Sequence, residues 1–481
     1  MLCGVVFSSK GQTTDSLALR YGKEIKSKTI EKHLRVIASD EYEGRETGKL
    51  GQKRTMEYLI NQFASYGIKD VKGLDYRQPF PLIEQENKNV SLVINGIELN
   101  LFEDFIMSPF FLMNEKINGE LQFHYKETEI SKNHFFVWPG NNQDSLNSRK
   151  KQIERLREGK AKTIIYHDPD LDEKLDKYGH YYRKSRTKLA ADQQKSERIT
   201  ITLSDTGLAK LMSASKVKQK KIDKKGRLAF EKKFPVNFVL DINKPNREIT
   251  GDNVIAYIKG SEKPQELIVI TAHYDHLGIE GDKVYNGADD DGTGTVSLLE
   301  IAQSFSLAVK EGHGPKRSIL IMPVSGEEKG LLGSKYYTDN PVFPLEQTVA
   351  NLNIDMIGRY DESHEDDSNY VYLIGSDKLS NELHELSEAV NQTYSRFNLD
   401  YRYNEDDDPN RFYYRSDHYN FAKNNIPVIF YFSGVHDDYH KPTDTVDKID
   451  FDKTTRIARL VFYTAWELAN RENRIKLKPK P

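Results

Sequence analysis

The sequence is nearly devoid of cysteine, since Cys3 is the only one among 481 residues. A single thiol cannot form a disulfide within the chain, and it makes redox chemistry an unsuitable function. Long apolar runs are missing too, because no segment approaches the roughly 20 apolar residues that a membrane-spanning helix needs. The chain is therefore expected to have no disulfide framework, no redox function and no membrane span.

Neither sign of charge dominates the sequence. Seventy basic and 73 acidic side chains leave a net charge of −3, which gives no electrostatic reason to expect nucleic acid or a membrane surface as a partner. Lysines crowd between Lys216 and Lys233, but few aromatic residues lie among them and no recognition motif accompanies them. This stretch is typical of a solvated surface loop, and we expect no nucleic-acid partner.

The length of the chain exceeds that of one typical domain, so two domains or one domain with a large insertion are expected. Residues 1–13 begin with an apolar stretch and continue with small polar residues. They resemble the remnant of a signal peptide whose start is missing. We therefore expect an exported protein, periplasmic or secreted. The alternative is a cytoplasmic protein with a frayed N-terminus.

The most informative stretch runs from Ala272 to Gly294. It begins with Ala-His-Tyr-Asp-His-Leu-Gly and ends with Asn-Gly-Ala-Asp-Asp-Asp-Gly-Thr-Gly. An apolar run precedes it and an amphipathic stretch follows it, which predicts a strand, a loop and a helix. Because ligands of open α/β sheets bind where the strands end, His273 and Asp290 are candidate metal ligands.

Three later stretches repeat this arrangement of an apolar, strand-like run followed by acidic or histidine residues. The ends of these runs carry Glu327 and Glu328, Asp355, and His440. Any one of these residues alone would indicate little, since a single Asp more often forms a turn or a cap. Five potential ligands on successive strand-like units are harder to explain without a metal site.

Five motifs make the chain resemble the M28 family of zinc peptidases. They are His-Tyr-Asp at 273–275, Gly-Ala-Asp-Asp-Asp-Gly-Thr-Gly at 287–294, Gly-Glu-Glu-Lys-Gly-Leu-Leu-Gly-Ser at 326–334, Asn-Ile-Asp-Met-Ile-Gly at 353–358 and Tyr-His-Lys-Pro-Thr-Asp-Thr at 439–445. The resemblance covers 250–450 and resumes over 34–71. Between 110 and 245 it is much weaker.

The resemblance implies a centre with two zinc ions. Asp290 bridges them, His273 and Asp355 complete one position, and Glu328 and His440 complete the other. Histidine nitrogen together with carboxylate oxygen suits zinc better than magnesium or calcium. Cobalt or manganese are possible substitutes.

The resemblance also assigns roles to residues beside the metals. Glu327 is the general base acting on a hydroxide that bridges the metals, and Tyr439 donates to the oxyanion of the tetrahedral intermediate. Asp275 fixes the ring of His273 by a hydrogen bond, as is usual for a metal-bound histidine. The peptide bond between Asp290 and Asp291 is expected to be cis. His276 has no role in this scheme, and we expect it at the surface.

The expected fold class is α/β, with a mixed, largely parallel central sheet flanked by helices, because strands alternate with helices. The peptidase domain is assigned to 14–110 and 245–475. Residues 111–244 contain a separate alternation of predicted strands and helices. Within them, 199–212 resemble part of a protease-associated domain. We therefore expect an inserted, smaller α/β domain that supplies no metal ligand.

The expected function is that of a zinc-dependent exopeptidase acting on peptides, and within that class an aminopeptidase. The acidic stretch 361–367 offers anions for a substrate ammonium group, whereas Arg359 and Arg415 would suit a carboxypeptidase. The same fold is also compatible with a non-hydrolytic receptor and with a glutaminyl-cyclase-like acyltransferase. The oligomeric state and the preferred side chain are not indicated by the sequence.

Overall fold

The structure is a computed structural model that describes most of the chain. The described residues are 14–71, 73–108, 114–124, 134–137, 144–159, 161–192, 198–216, 231–364 and 367–479. Two sequence expectations fall outside these ranges: the signal-peptide remnant at 1–13, and most of the lysine-rich stretch, at 217–230. None of the helices in the described ranges is long and apolar enough to span a membrane.

The chain divides into two compact units. The larger unit contains the residues up to Pro81 and those from Thr250 onward, and the smaller unit is the continuous segment Leu82–Ile249. Two strands carry the chain across these divisions, β1 (Arg77–Gln85) and β11 (Asn246–Val254).

A seven-stranded sheet forms the centre of the larger unit. Its strands are β12 (Ala256–Ile258), β13 (Lys263–His273), β16 (Arg317–Val324), β17 (Thr348–Ile354), β18 (Tyr370–Ile374), β19 (Asn398–Asp400) and β20 (Val428–Phe432). The strand order is β12-β16-β13-β17-β20-β18-β19. The four neighbours β16, β13, β17 and β20 are parallel, while β12 and β18 each run antiparallel to their neighbour among these four. The prediction of a mixed, largely parallel sheet is confirmed. A separate hairpin consists of β14 (Gly278–Glu280) and β15 (Lys283–Tyr285).

The two faces of the sheet are both buried, which explains why its strands read as continuous apolar runs. Along β13, Ile268 and Ile270 pack into one core, while Leu267 and Val269 pack into another. This alternation follows the two-residue period of a strand. Helices therefore cover the sheet on both sides.

Eight helices belong to the described part of the larger unit. They are α1 (Ser16–Gly22), α2 (Ser27–Ile37), α3 (Leu50–Ser65), α7 (Gly294–Lys310), α8 (Leu332–Asp339), α9 (Asn381–Val390), α10 (His418–Ala422) and α11 (Phe451–Asn470). The first helices pack with the last one. Nε1 of Trp466 donates to Asp15 over 2.9 Å, and Arg459 donates to the carbonyl of Ile25 over 2.7 Å.

The smaller unit has a sheet and a core of its own. Its strands are β2 (Val90–Ile94), β3 (Ile97–Leu99), β4 (Phe105–Ser108), β5 (Glu115–His124), β6 (His134–Val137), β7 (Thr163–His167), β9 (Ile199–Leu203) and β10 (Val236–Ile242), in the order β3-β2-β10-β5-β6-β7-β9-β4. A further strand, β8 (Arg186–Leu189), pairs with β1. Its helices are α4 (Asp144–Glu158), α5 (Leu171–Arg183) and α6 (Asp205–Ala214).

The division between the units lies earlier than the boundary at 111 that we assigned from the sequence. Strands β2, β3 and β4 lie within 90–108 and belong to the smaller sheet, where β2 pairs with β10, β4 pairs with β9 and β3 pairs with β2. Short strands separated by turns gave no local sign of the sheet they would join. The partners of β2 and β4 in that sheet lie roughly 90 residues or more away in the chain, which sequence periodicity does not report.

Candidate metal centre

The four parallel strands bring the predicted ligands to one edge of the sheet. His273 is the last residue of β13, and Asp355 follows β17 directly. Glu327 and Glu328 follow β16 after a turn of two residues, and His440 lies on the loop after β20. Because parallel strands all end on the same side, residues far apart in the sequence become neighbours.

The first group of potential ligand atoms surrounds Nε2 of His273. It lies 3.3 Å from Oδ1 of Asp290, 3.6 Å from Oδ1 of Asp355 and 3.9 Å from Oε2 of Glu327. His273, Glu327 and Asp355 together have the spacing of a metal site. The hydroxyl of Ser416 holds the other oxygen of Asp355 by a hydrogen bond of 2.7 Å.

The second group surrounds the other oxygen of Asp290, Oδ2. Nε2 of His440 lies 3.3 Å from this atom and 3.3 Å from Oε2 of Glu328. Nδ1 of His276 lies 3.7 Å from Asp290 Oδ2 and 2.8 Å from Glu328 Oε1. The two oxygens of Asp290 therefore face two different groups of ligand atoms.

The buried position of His276 contradicts our expectation of a surface histidine. Its side chain is fully buried and belongs to a potential metal group with Asp290 and Glu328. The sequence carried no signal of this burial. In the structure Gly287 has φ +53°, and a Cβ at this position would lie only 2.5 Å from the His276 ring, so this glycine makes room for the imidazole.

His273 is oriented by the main chain rather than by the carboxylate that we expected. Its Nδ1 lies 3.0 Å from the carbonyl oxygen of Asp275, whereas the Asp275 carboxylate is 3.8 Å away. A carbonyl only accepts, so Nδ1 carries the proton and the lone pair of Nε2 faces the first group. The Asp275 carboxylate accepts instead from the Thr47 hydroxyl and the Glu327 amide.

The loop that carries Asp290 is held by acids that accept main-chain hydrogen bonds. Asp291 accepts from the amides of His273, Gly294 and Met356 at 3.0–3.1 Å. Asp444 accepts from the Asp290 amide over 3.2 Å. The Asp290–Asp291 peptide bond is cis, as the family resemblance implies.

Arg45 lies behind this loop and is fully buried. Its guanidinium donates to the carbonyls of Tyr274 (2.9 Å), Ile37 (3.0 Å), Asn286 (2.5 Å) and Gly287 (2.8 Å). These bonds connect the segment before α3 to both halves of the 272–294 stretch. From the sequence, Arg45 lay within the stretch 34–71, over which the family resemblance resumes, and it had no assigned role.

Several carboxylates lie close together in the centre and shift the pKa values of their neighbours. Burial, reinforced by the carboxylates of Glu328 and Asp355, raises the pKa of Glu327 well above its usual value. Burial favours the neutral ring of His440, yet the carboxylates of Asp290 and Glu328 outweigh it and raise the pKa of this histidine to about 10. The shift of Glu327 disfavours its negative form, whereas the shift of His440 shows that the neighbouring carboxylates favour a positive charge at that ring.

A pocket opens beside the two groups. Its lining consists of His273, Asp290, Glu327, Asp355, Met356, Phe412, Arg415, Phe430, Phe432, Val435, Tyr439 and His440. The lining combines the potential ligand residues with an apolar wall, by which we mean Met356, Phe412, Phe430, Phe432 and Val435. The ring of Tyr439 stacks on His440 with 3.9 Å between centroids, and its hydroxyl accepts from Arg415 over 3.3 Å.

One acid of the stretch 361–367, Asp361, is not available in the way that we expected. The buried carboxylate of Asp361 accepts from the Tyr372 hydroxyl over 2.5 Å and contacts His364 over 2.9 Å. Because these contacts occupy the Asp361 carboxylate within the fold, this carboxylate is not free to bind a substrate ammonium group. Arg359 is paired with Asp438 over 3.1 Å, which leaves Arg415 as the arginine of the pocket lining.

The residues fit a zinc site. Three atoms that face each other, Asp290 Oδ2, Glu328 Oε1 and His276 Nδ1, are buried without a hydrogen-bond partner. Buried polar atoms are rarely left without a partner unless an ion or water completes them. Imidazole nitrogen and carboxylate oxygen are the donors that zinc takes in catalytic sites.

An α/β sheet with metal-ligating groups at the ends of its parallel strands defines this unit as a metallopeptidase-type domain. Residues 253–465 match the model described as Peptidase family M28. The matched range contains every residue that we predicted as a ligand.

Known proteins similar to this chain include peptidases of more than one kind. A "Probable zinc metalloprotease" of Pyrenophora tritici-repentis is 30% identical over 268 residues, which are 46% of this chain and 52% of that protein. A "Probable glutamate carboxypeptidase" of Arabidopsis thaliana is 34% identical over 105 residues, 22% of this chain and 14% of that protein. The chain thus spans about half the length of the first of these curated relatives.

A solved structure shares the fold over nearly the whole chain. The aminopeptidase from Aneurinibacillus sp. strain AM-1 has a TM-score of 0.57 and 18% identity, with 96% of this chain and 98% of that chain covered. At this identity the likeness concerns the fold alone.

Proposed function

We propose that the chain is a zinc-dependent exopeptidase that binds two zinc ions and removes N-terminal residues from peptides. The proposal is supported most by the pocket in which the Glu327 carboxylate lies beside His273, Asp290 and Asp355. His273, Asp290 and Asp355 would hold one ion, and Asp290, Glu328 and His440 the other. Bound zinc lowers the pKa of water and polarises a carbonyl.

Glu327 is the general base of the proposed mechanism. Its neighbour Glu328 points to His440 and His276, so the two adjacent carboxylates face different partners. Glu327 takes a proton from the attacking water and returns it to the leaving amine. Its amide is fixed on Asp275, which limits the movement of the turn that carries it.

Tyr439 is proposed to stabilise the oxyanion of the tetrahedral intermediate. Its hydroxyl lies in the pocket lining, where it accepts a hydrogen bond from Arg415 and remains able to donate its own proton. Burial, followed by the charges of Asp290 and Glu328, raises the pKa of Tyr439. The phenol therefore stays protonated, as a hydrogen-bond donor to an oxyanion must be.

The apolar wall of the pocket supports an exopeptidase that prefers an apolar side chain. Phe412, Phe430, Phe432 and Met356 are buried residues of this wall. A substrate side chain that enters gains roughly 25 cal/mol for each Å² of apolar surface that it buries. We expect N-terminal Leu, Met or Phe to be released faster than Asp or Lys.

Removal of metal should abolish the activity. In a release assay on a panel of aminoacyl substrates, dialysis against a chelator is expected to remove both ions and all turnover, and added zinc is expected to restore it. The far-UV circular dichroism of the metal-free protein serves as the control for folding. Full turnover by metal-free, folded protein would refute the proposal.

A carboxypeptidase is the second candidate because Arg415 lines the pocket. An arginine there could bind a terminal carboxylate, although it now contacts Tyr439 and lies over the Phe412 ring with 4.8 Å to the centroid. The absence of a second free arginine among the lining residues favours the aminopeptidase.

The variant Arg415→Gln separates these two candidates. For an aminopeptidase, release from aminoacyl substrates should change by less than about tenfold, because Arg415 would contact Tyr439 and the Phe412 ring but not the substrate. For a carboxypeptidase, release from a blocked dipeptide with a free carboxylate should dominate in the wild type and fall by about 100-fold or more, the loss of a charge-assisted contact worth about 3 kcal/mol. Arg411→Gln is the matched control, since Arg411 is exposed and lies over Tyr414 outside the lining.

The segment that we assigned to 111–244 is proposed to be a protease-associated-like unit. No side chain from the described part of this segment belongs to either potential metal group, and its described strands pair outside the seven-stranded sheet. Its role in the activity is left open by this proposal.

A further inference from the structure

His276 is the one histidine of the centre to which neither the family resemblance nor the proposed mechanism gives a role. Its ring is fully buried, and both ring nitrogens lack a hydrogen-bond partner. Burying an unpartnered polar atom costs roughly 1–3 kcal/mol. The two unpartnered nitrogens therefore require a partner that the protein atoms around the ring do not supply.

The surroundings hold the His276 ring in one orientation. Gly287 has a left-handed backbone conformation and no Cβ, so its main chain lies directly against the ring. The His276 amide points to the carbonyl of Arg45, and Arg45 in turn binds the carbonyl of Gly287. The ring is thus fixed from two sides, and Nδ1 remains directed at the acids.

The contact with Glu328 does not satisfy the two atoms. Nδ1 of His276 is 2.8 Å from Oε1 of Glu328, yet neither atom has a hydrogen-bond partner, so the short distance is not accompanied by hydrogen-bond geometry. Oδ2 of Asp290 is a third atom in this state, 3.7 Å from Nδ1. These three potential ligand atoms lie within 4.8 Å of one another. A cation bound among them would provide each of them with a partner.

We propose that His276, through Nδ1, is an additional ligand of the zinc ion held by Asp290, Glu328 and His440. This inference rests on the proposed function, since it assumes that the centre binds zinc. The additional ligand would make the two zinc positions chemically unequal. The position of His276 has four protein ligands, whereas the position of His273, Asp290 and Asp355 has three.

The unequal ligand sets predict a division of labour. Zinc sites with four protein ligands are closed, as structural sites are, while catalytic sites keep one position open for water or substrate. The closed position should hold its ion tightly. The open position lies next to Glu327, so the attacking water and the substrate carbonyl are expected there.

The test compares metal binding by the wild type with that of His276→Phe, which keeps a ring but removes the donor nitrogen. Wild-type protein titrated with zinc should bind two ions with different affinities. The variant should bind the tighter ion at least about 10- to 100-fold more weakly, which is the range measured for supporting residues of metal sites and therefore a lower bound for a ligand. In cobalt-loaded protein, the visible absorption of the four-coordinate ion should change as well.

Two further variants serve as controls. His440→Phe removes a ligand of the same position and should weaken the same ion. His33→Phe removes a buried histidine of α2 that contacts Tyr58, and it should leave both affinities and the cobalt spectrum unchanged. If His276→Phe does not fold, His276→Asn is measured instead, with weakened binding of the tighter ion again expected.

Unchanged zinc affinities and an unchanged cobalt spectrum in a folded His276 variant would overturn the inference and leave the proposed function standing. A wild-type protein that binds no zinc would instead overturn the proposed function. The two failures are therefore distinguishable before any activity is measured.

Discussion

Glu327→Gln should lower kcat by about 10²- to 10⁴-fold, the contribution of a well-placed acid-base group. Glutamine has the shape of glutamate and still accepts a hydrogen bond, but it cannot take up the proton of water and return it to the leaving amine. Because the contacts to the substrate remain, KM should change little. Steady-state kinetics on an aminoacyl substrate at full zinc loading measures both quantities.

The neighbouring substitution Glu328→Gln is the matched control for this result. Glu328 lies 3.3 Å from His440 and faces the second group of ligand atoms, so its loss should reduce zinc content before it affects the chemistry. Elemental analysis separates the two variants, because Glu327→Gln should keep both ions. A kcat within a few-fold of the wild type for zinc-loaded Glu327→Gln would mean that another residue is the base.

Arg45→Met should destabilise the larger unit by about 3 kcal/mol or more. The substitution leaves the buried carbonyls of Ile37, Tyr274 and Gly287 and the partly buried carbonyl of Asn286 without the donors that Arg45 supplies. Each buried unpartnered group costs roughly 1–3 kcal/mol. It also removes a positive charge behind the acids of the centre. Urea unfolding followed by far-UV circular dichroism measures the loss, and zinc titration should reveal weaker binding.

Arg54→Met is the control for Arg45→Met. Arg54 lies in α3, close to Arg45 in sequence, and its guanidinium contacts Glu43 at the surface over 3.2 Å. Exposed ion pairs contribute about 0–1 kcal/mol, so this variant should unfold at nearly the wild-type urea concentration. Equal stability of the two variants would show that the Arg45 bonds do not hold the 286–287 loop.

Two features of the larger unit could be predicted because they follow local sequence patterns. These are its α/β architecture and the convergence of the predicted ligand residues at one edge of the sheet. The apolar run 267–272 ends at His273, and the runs before Asp355 and Glu327 end in the same way. A parallel sheet brings such strand ends together whatever the length of the connections between them. The sequence therefore predicted which residues meet without predicting how they are oriented.

Orientation was the part that the sequence could not supply. Asp275 contacts Thr47 and the Glu327 amide rather than the ring of His273, and His276 turns inward against Gly287. Both residues lie on a loop, where no periodicity tells the buried side from the exposed one. The sequence also could not show that the Asp361 carboxylate is engaged within the fold. Its partner Tyr372 lies on β18, and the local sequence pattern does not indicate that this strand contacts Asp361.

The hydrogen bond between Asp15 and Trp466 joins residues that are 451 positions apart. The helices that begin the larger unit bury Tyr21, Ile30 and Leu34 in the same core as Ile457 and Leu460 of α11. While a ribosome makes this chain, those early apolar faces lack the part of their native cover that α11 provides until residues 451–470 have emerged. The smaller unit is one continuous segment, Leu82–Ile249, so it can fold once that segment has emerged. Its folding can be complete while α1 and α2 are still exposed to chaperones and to other nascent chains.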